Sequence, residues 1–359
     1  METHVDVLVV GGGPAGCTAA AALARASVSV CLATLDHSPT CIPSETLNHA
    51  AALELARVGI PESSLIGAEC YGIESSWGSE TPAFHSFIMQ PLGKSFHVDR
   101  CLLHEALLAN ARSAGSQVLR NARFVKAESA GTTWQVTLRN GGEAASVRCS
   151  FLIDATGRSS LVARSLGVRR RRFDALCGVS AVFESDWRGR TLLVGAAPYG
   201  WWYVAPVPPH CVMACLVSDV DVIRTIGALE PPVWSALASE ISLIGSAASV
   251  SVARLRVHPC ETSALEHFCG QTWLAAGDAA SIFDPLSSAG VYKALASGRE
   301  AAAAALGWLD DTASSVSEYG KRRRQEFDWY LRRRCSHYSV ERRWLSHPFW
   351  LRRAASAQC

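Results

Sequence analysis

The 359-residue chain has no apolar run approaching the ~18 residues that a membrane-crossing helix needs. It also lacks a basic stretch ahead of an apolar one at its start. Glu2 and Asp6 flank the first short strand instead, so no secretory leader is expected and the expected location is cytoplasmic, with no membrane partner. No C-x-x-C pair occurs among the 13 cysteines, and their number is odd. The two nearest, Cys211 and Cys215, fall on one face of a strand, as core packing alone would place them. Reduced, buried thiols are therefore expected, not a disulfide scaffold or a zinc site, and no metal is assigned. Internal repeats and low-complexity linkers are missing too. At 49% hydrophobic and 18% charged residues, the composition excludes disorder.

Net charge is only +2, but it is unevenly spread. Residues 321–353 hold eleven Lys or Arg against three acids (+8), which leaves about −6 for the remainder.

What is present begins with Val5–Val10, a β-branched apolar run that stops at Gly11-Gly12-Gly13-Pro14-Ala15-Gly16. An Ala-rich helix (17–26) and a second strand (28–32) follow. Strand, glycine turn, helix and strand are the setting in which G-x-G-x-x-G means a dinucleotide site. Gly11 permits the turn, Gly13 lets backbone approach a pyrophosphate, and Gly16 lets the helix pack close. The helix N-terminus then offers N–H groups and a positive dipole end to the phosphates. The usual acid at the end of the second strand is missing. Thr34 stands at that place, and Asp36 is the nearest carboxylate, so either could serve the adenosine ribose.

Further along, Ser44 is expected to cap a helix over 47–58, and 59–95 reads as irregular. Asp99 or the residues before it are expected to cap a helix from about Arg100 to Ser113. Strands are expected over 118–119, 122–128, 133–139 and 145–148, with Asn140-Gly141-Gly142 as a hairpin turn. Phe151–Asp154 is a further strand, ending in Ala155-Thr156-Gly157, that should rejoin the first sheet. Residues 173–262 read mostly as strands, with one helical stretch near 232–244. A strand over 272–276 leads to Gly277-Asp278, the Phe283-Asp284-Pro285 turn and a helix from about Gly290 to Leu309. An Arg- and aromatic-rich helical tail ends the chain.

These ordered segments resemble FAD-dependent monooxygenases of the p-hydroxybenzoate hydroxylase fold, which flavin-dependent halogenases share. The resemblance covers nearly the whole chain. It implies an α/β fold: a Rossmann-like FAD-binding domain (1–58, 96–172 and 263–310) interleaved with a mixed β-sheet substrate domain (59–95 and 173–262), then a C-terminal helical region (311–359). FAD is the implied cofactor. Gly11, Gly13, Pro14, Ala15, Gly16 and Arg100 would hold its phosphates, Thr156 and Gly157 its adenine half, and Asp278 its ribityl chain or pyrophosphate. Pro285, Ser288, Ala289 and Gly290 would face the isoalloxazine.

Finer segments narrow the likeness. Ser44-Glu45-Thr46-Leu47 is similar to G-E-S-L of the halogenase-like branch. Trp77-Gly78-Ser79, Gly200–Pro206, Phe283–Ser288 and Glu341–Trp350 resemble flavoprotein maturases that modify a precursor tryptophan on the way to cysteine tryptophylquinone. The halogenase pattern W-x-W-x-I-P is matched only loosely by Trp201-Trp202-Tyr203-Val204-Ala205-Pro206, and no lysine precedes Lys94. Both departures argue against halogenation. There is no second G-x-G-x-x-G, so electrons would come from transiently docked NAD(P)H or a flavin reductase.

Several of these residues also have purely structural readings. Glu45 belongs to the site by resemblance, or merely to a cap or ion pair. Trp201 and Tyr203 share one strand face, which either lines the site or fills a core. Arg169–Arg172 reads as a solvated charged loop. The tail's aromatics are expected to pack back on the body, leaving arginines for a protein partner and not for nucleic acid. His49, His97 and His104 are candidate acid–base groups by type, with structural roles preferred for the last two. The expected function is FAD-dependent hydroxylation of an aromatic ring, probed with Glu45, Trp201, Tyr203 and Pro285 as the reaction-site residues. The substrate would be a precursor polypeptide's tryptophan or an aromatic small molecule. Rivals are a halogenase and a flavin-binding accessory protein without turnover.

Overall fold

A computed structural model describes residues 2–35, 45–61, 67–87, 95–140, 142–185, 187, 189–207, 210–241, 252–312 and 314–356. Asp36, Ser44, Gly141 and Lys94 lie outside these residues.

The first strand, Glu2–Val10, is central to a seven-stranded mixed sheet. On one side it pairs in parallel with Val30–Ala33, which pairs in parallel with Gln117–Leu119. On the other side it pairs in parallel with Glu143–Asp154. That strand is one continuous 12-residue element where two short strands are predicted, because nothing at Cys149-Ser150 turns the chain. Its first half makes a hairpin with Thr133–Asn140, and its last three residues pair with Trp273–Ala275. The motif turns after Val10, Asp154 and Ala275 therefore arrive at the same end of adjacent parallel strands. In such sheets this edge is where ligands bind.

The glycine-turn helix is Pro14–Arg25, with proline at its first position. Its small residues Ala19, Ala20 and Ala21 are fully buried, so neighbouring helices come close. One neighbour is Gly290–Leu309, whose Gly298 faces the Ala15 backbone. The expected helix over 47–58 is instead a strand, Glu45–Leu47, and then a helix, His49–Arg57. Asn48 is the cap, accepting from the Ala51 N–H at 2.9 Å.

A second seven-stranded sheet runs in the order Arg256–Pro259, Leu176–Glu184, Cys211–Asp219, Gly200–Val207, Thr191–Ala197, Gly72–Ser76, Ala83–Ser86. One face packs on Trp234 of the helix Pro231–Ser239 through Trp202, with rings 5.1 Å apart. A small antiparallel sheet joins Glu45–Leu47, Ser95–Val98 and Gly67–Cys70. The tail forms two helices, Ser315–Tyr338 and Pro348–Ser356, and its aromatics pack inward: Tyr319, Phe327, Phe349 and Trp350 are buried. All eleven described cysteines are free thiols. No helix among the described residues is long and apolar enough to cross a membrane.

Candidate active site

The glycine turn is built by close approach. Gly11 has φ +113°, and a Cβ there would lie 2.1 Å from the Ala155 carbonyl oxygen. A Cβ on Gly16 would lie 1.8 Å from the Gly11 carbonyl oxygen. Above Gly13, by contrast, a Cβ would meet nothing within 4 Å. The first turn thus presents the Ala15 and Gly16 N–H groups, which have no intrahelical acceptor, to open space. Thr34 is buried under Gly12 and donates to the Leu35 carbonyl at 3.0 Å.

The turn after Asp154 is held by that carboxylate, which accepts from Thr156 Oγ1 (2.6 Å), Thr156 N (3.0 Å) and Ala163 N (2.8 Å). Burial raises the Asp154 pKa against these bonds. Thr156 is therefore tied into the turn, and Gly157 follows with φ +66°.

Asp278 sits in the third turn with its carboxylate 45% exposed, while its partner Lys293 is 2% exposed. Lys293 Nζ lies 3.0 Å from Asp278 Oδ1, donates to the Ser281 carbonyl and stands 4.5 Å above the Phe283 ring. Enclosure works against ionisation of Asp278, but the charge of Lys293 outweighs it and holds the carboxyl below its usual range. From behind, Arg170 donates to the Asp278 and Ala279 carbonyls at 2.8 and 2.6 Å. This corrects the expectation of a loose arginine run. Arg170 is half-buried, its pKa is lowered to about 10 by burial, and it braces the turn, while Arg169 remains exposed.

The next turn, Asp284–Ser288, leads to the N-terminus of Gly290–Leu309. Asp284 is 1% exposed. It accepts from the Leu286 N–H (3.0 Å) and the Tyr338 hydroxyl (2.8 Å), and Arg334 is 3.5 Å away. Tyr330 Oη accepts from the Asp284 N–H at 2.6 Å. Pro285 is thus fixed by side chains from the tail helix. Ser288 takes the left-handed conformation (φ +46°), and its carbonyl accepts from Asn48 Nδ2 at 2.9 Å. Ala289 caps the helix without a side-chain bond, so the N–H groups of Gly290, Val291 and Tyr292 are left without an intrahelical acceptor, while Lys293 N–H bonds the Ala289 carbonyl.

Of the proposed reaction-site residues, Glu45 lies on the small sheet, and Trp201 and Tyr203 lie on one strand of the second seven-stranded sheet. Glu45 Oε2 pairs with Arg100 Nη1 at 3.4 Å. Tyr203 shares its strand face with Trp201, with rings 6.0 Å apart. Burial, then the neighbouring Cys215 thiol and Glu45 carboxylate, push the Tyr203 hydroxyl well above its usual pKa. Trp201 is 1% exposed and donates through Nε1 to Tyr338 Oη at 3.1 Å. It reaches Asp284 through that hydroxyl and packs in the interior, while Tyr203 stands beside Glu45. His97 is buried against Thr46 (3.0 Å), and burial lowers its pKa to about 4. Sequence reasoning missed Asn48, Arg170, Lys293 and Tyr338. Only Asn48, directly before a helical stretch, carried a local signal as a cap.

The arrangement fits FAD: two open helix N-termini, a cradle that any Cβ would fill, and an ionised, partly exposed carboxylate between them. The FAD binding domain family matches residues 4–315. LodB of Marinomonas mediterranea, assigned as an FAD-dependent oxidoreductase, is 28% identical over 99% of this chain and 98% of its own. Among solved structures, the flavin-dependent halogenase CmlS is 26% identical, with a TM-score of 0.84 over 98% of this chain and 68% of that one. QhpG, a peptidyl tryptophan dihydroxylase essential for tryptophylquinone cofactor biogenesis, has the same fold at 20% identity, with a TM-score of 0.79 over 98% of this chain and 79% of its own.

Proposed function

Because the chain belongs to the FAD binding domain family of FAD-dependent oxidoreductases, we propose that it is a monooxygenase that hydroxylates an aromatic ring, a tryptophan within a precursor polypeptide. The observation that carries this reading is Tyr203 beside Glu45, whose partner Arg100 also acts on Asp278, with nearby Asn48 bonded to the Ser288 carbonyl just ahead of Gly290. Bound FAD would supply the activation of oxygen. The N-termini at Gly13 and Gly290 would bind anionic groups of the cofactor, and Asp278 would accept from its ribityl hydroxyls. Tyr203, kept protonated, can donate a hydrogen bond or proton toward a substrate oxygen, with Glu45 beside it. The packed Trp77, Trp201 and Tyr338 rings exclude water from that side. Electrons would come from NAD(P)H or a flavin reductase.

Hydroxylation is favoured over halogenation by the departure from W-x-W-x-I-P and by where the three described lysines stand. Lys293 is buried on Asp278, Lys126 lies on the edge strand of the first sheet beside Glu128, and Lys321 lies on the exposed tail helix. Among the described residues, no lysine stands beside Tyr203. The maturase-like segments, and the fold shared with the peptidyl tryptophan dihydroxylase QhpG, support a polypeptide substrate. Candidate precursors incubated with protein, FAD, NAD(P)H and oxygen should gain oxygen on tryptophan by intact-mass and fragment analysis. Turnover only of free aromatic compounds would replace the precursor by a small-molecule substrate.

Lys293→Met should weaken FAD binding about tenfold at neutral pH, read by fluorescence titration, because a charge-assisted contact that orients Asp278 is lost. The carboxyl pKa, now held low, would rise in the variant. Its loss of FAD affinity on acidification should therefore begin at a higher pH than in the parent.

A further inference from the structure

His49 is a candidate acid–base group by type, yet it has no part in the site described above. It is the first residue of the helix His49–Arg57 and is 8% exposed. Neither Nδ1 nor Nε2 has a hydrogen-bond partner among the described residues. His97, by contrast, keeps one in Thr46. An imidazole always carries at least one N–H donor. Leaving it buried and unpaired costs about 1–3 kcal/mol, so the expected partner is a group that is not part of the polypeptide.

The neighbouring helix locates that partner. His49–Arg57 packs on Gly290–Leu309. Asn48 Nδ2 donates to the Ser288 carbonyl just ahead of that helix, and Glu54 pairs with Arg299 at 3.1 Å further along. The two helices therefore run side by side in the same direction, and their N-termini meet. Side chains lean toward the N-terminus of a helix, so that of His49 leaves the first turn toward this junction. The His49 and Ala50 N–H groups join those of Gly290, Val291 and Tyr292 there, all without an intrahelical acceptor. Two positive helix ends and a buried N–H donor favour negative charge. The phosphates of FAD would be taken by the turn at Gly11–Gly16. What remains is the ring system, which carries negative charge once it is reduced.

We propose that the His49 imidazole donates a hydrogen bond to the polar edge of the FAD ring system, and that this bond strengthens when the cofactor is reduced. The imidazole keeps its proton, and its effect is to raise the reduction potential of bound FAD. This rests on placing the ring at the Ser288–Gly290 turn and deepens that site, and it does not depend on hydroxylation.

Redox and binding titrations of the full chain test this without a substrate. His49→Leu, close to histidine in volume, should weaken binding of reduced FAD about tenfold more than binding of oxidised FAD, the scale of one hydrogen bond to a charged group. The midpoint potential of the bound cofactor should become more negative accordingly. His49→Gln keeps an N–H donor and should recover part of the difference. FAD-free His49→Leu protein should unfold in urea at or above the parental midpoint, because buried nitrogens without partners are removed. A structural role for His49 would lower that midpoint instead. In parent protein carrying isotopically labelled histidine, FAD should shift the imidazole NMR signal that His49→Gln lacks. Equal loss of affinity for both redox forms, an unchanged potential, a lowered FAD-free midpoint or an unmoved imidazole signal would each overturn the proposal. Gly290→Leu locates the ring independently, because a Cβ there meets nothing within 4 Å and the side chain would enter the place of the ring. If Gly290→Leu weakens FAD binding and His49→Leu leaves both redox forms unaffected, the ring lies at this turn and His49 is not its partner. If neither variant affects FAD, the placement of the ring fails as well.

Discussion

Gly16→Val protein should emerge from purification without flavin colour and bind added FAD at least about a hundredfold more weakly than the parent. A Cβ at this position would lie 1.8 Å from the Gly11 carbonyl oxygen and 3.1 Å from Ala155 Cβ. The first contact is with backbone, so no side chain can swing aside. The helix cannot retreat either, because Gly298 of Gly290–Leu309 already faces the Ala15 backbone, where its own Cβ would lie 2.3 Å from the Ala15 oxygen. The substituted chain must therefore open the turn between Gly11 and Pro14. That moves the Ala15 and Gly16 N–H groups away from the pyrophosphate position. Fluorescence titration with FAD gives the affinity, and far-UV circular dichroism shows whether the fold persists. A yellow protein of parental affinity would mean that the cofactor phosphates lie elsewhere.

The second large effect is on stability. Asp284→Ala should cost about 3–5 kcal/mol, because one buried carboxylate that accepts from the Tyr338 hydroxyl and the Leu286 N–H and pairs with Arg334 is lost at once. Arg334 would keep Asp174 at 2.7 Å, but Tyr338 would be left with only the Trp201 N–H that it accepts. The Leu286 N–H also loses its acceptor, so the turn that carries Pro285 loosens. Tyr338→Phe removes two hydrogen bonds and no charge, and should cost about 1–3 kcal/mol. Urea unfolding of both variants checks the order. If Asp284→Ala unfolded at the parental midpoint, the tail helix would not be what holds this turn.

The parts of this molecule legible in the sequence are those with short-range causes. Glycine turns at Gly11–Gly16, Gly157 and Gly277 sit at strand ends, where backbone geometry demands small residues and local pattern reveals it. Asp99 as a helix cap was legible for the same reason, and it accepts from Cys101 and Leu102 N–H groups. Contacts that join distant segments were not legible. Asn48 reaches Ser288 across 240 residues, and Trp201 meets Tyr338 across 137. Nothing in a run of four arginines distinguishes Arg170, which turns inward, from Arg169, which does not. Lys293 reads as one residue of an alanine-rich helix until the turn at Gly277 brings Asp278 against it. Glu45–Leu47 is a three-residue strand that exists because Ser95–Val98 pairs with it, and local propensity carried no sign of that pairing.

The proposed monooxygenase transfers oxygen, and not halide, to the substrate ring. The most direct test is mass analysis of the aromatic product formed under isotopically labelled dioxygen, with FAD, a reductant and excess bromide present. Label from dioxygen in the product, without bromine, is the predicted result. A brominated product, or oxygen drawn only from water, would contradict the account.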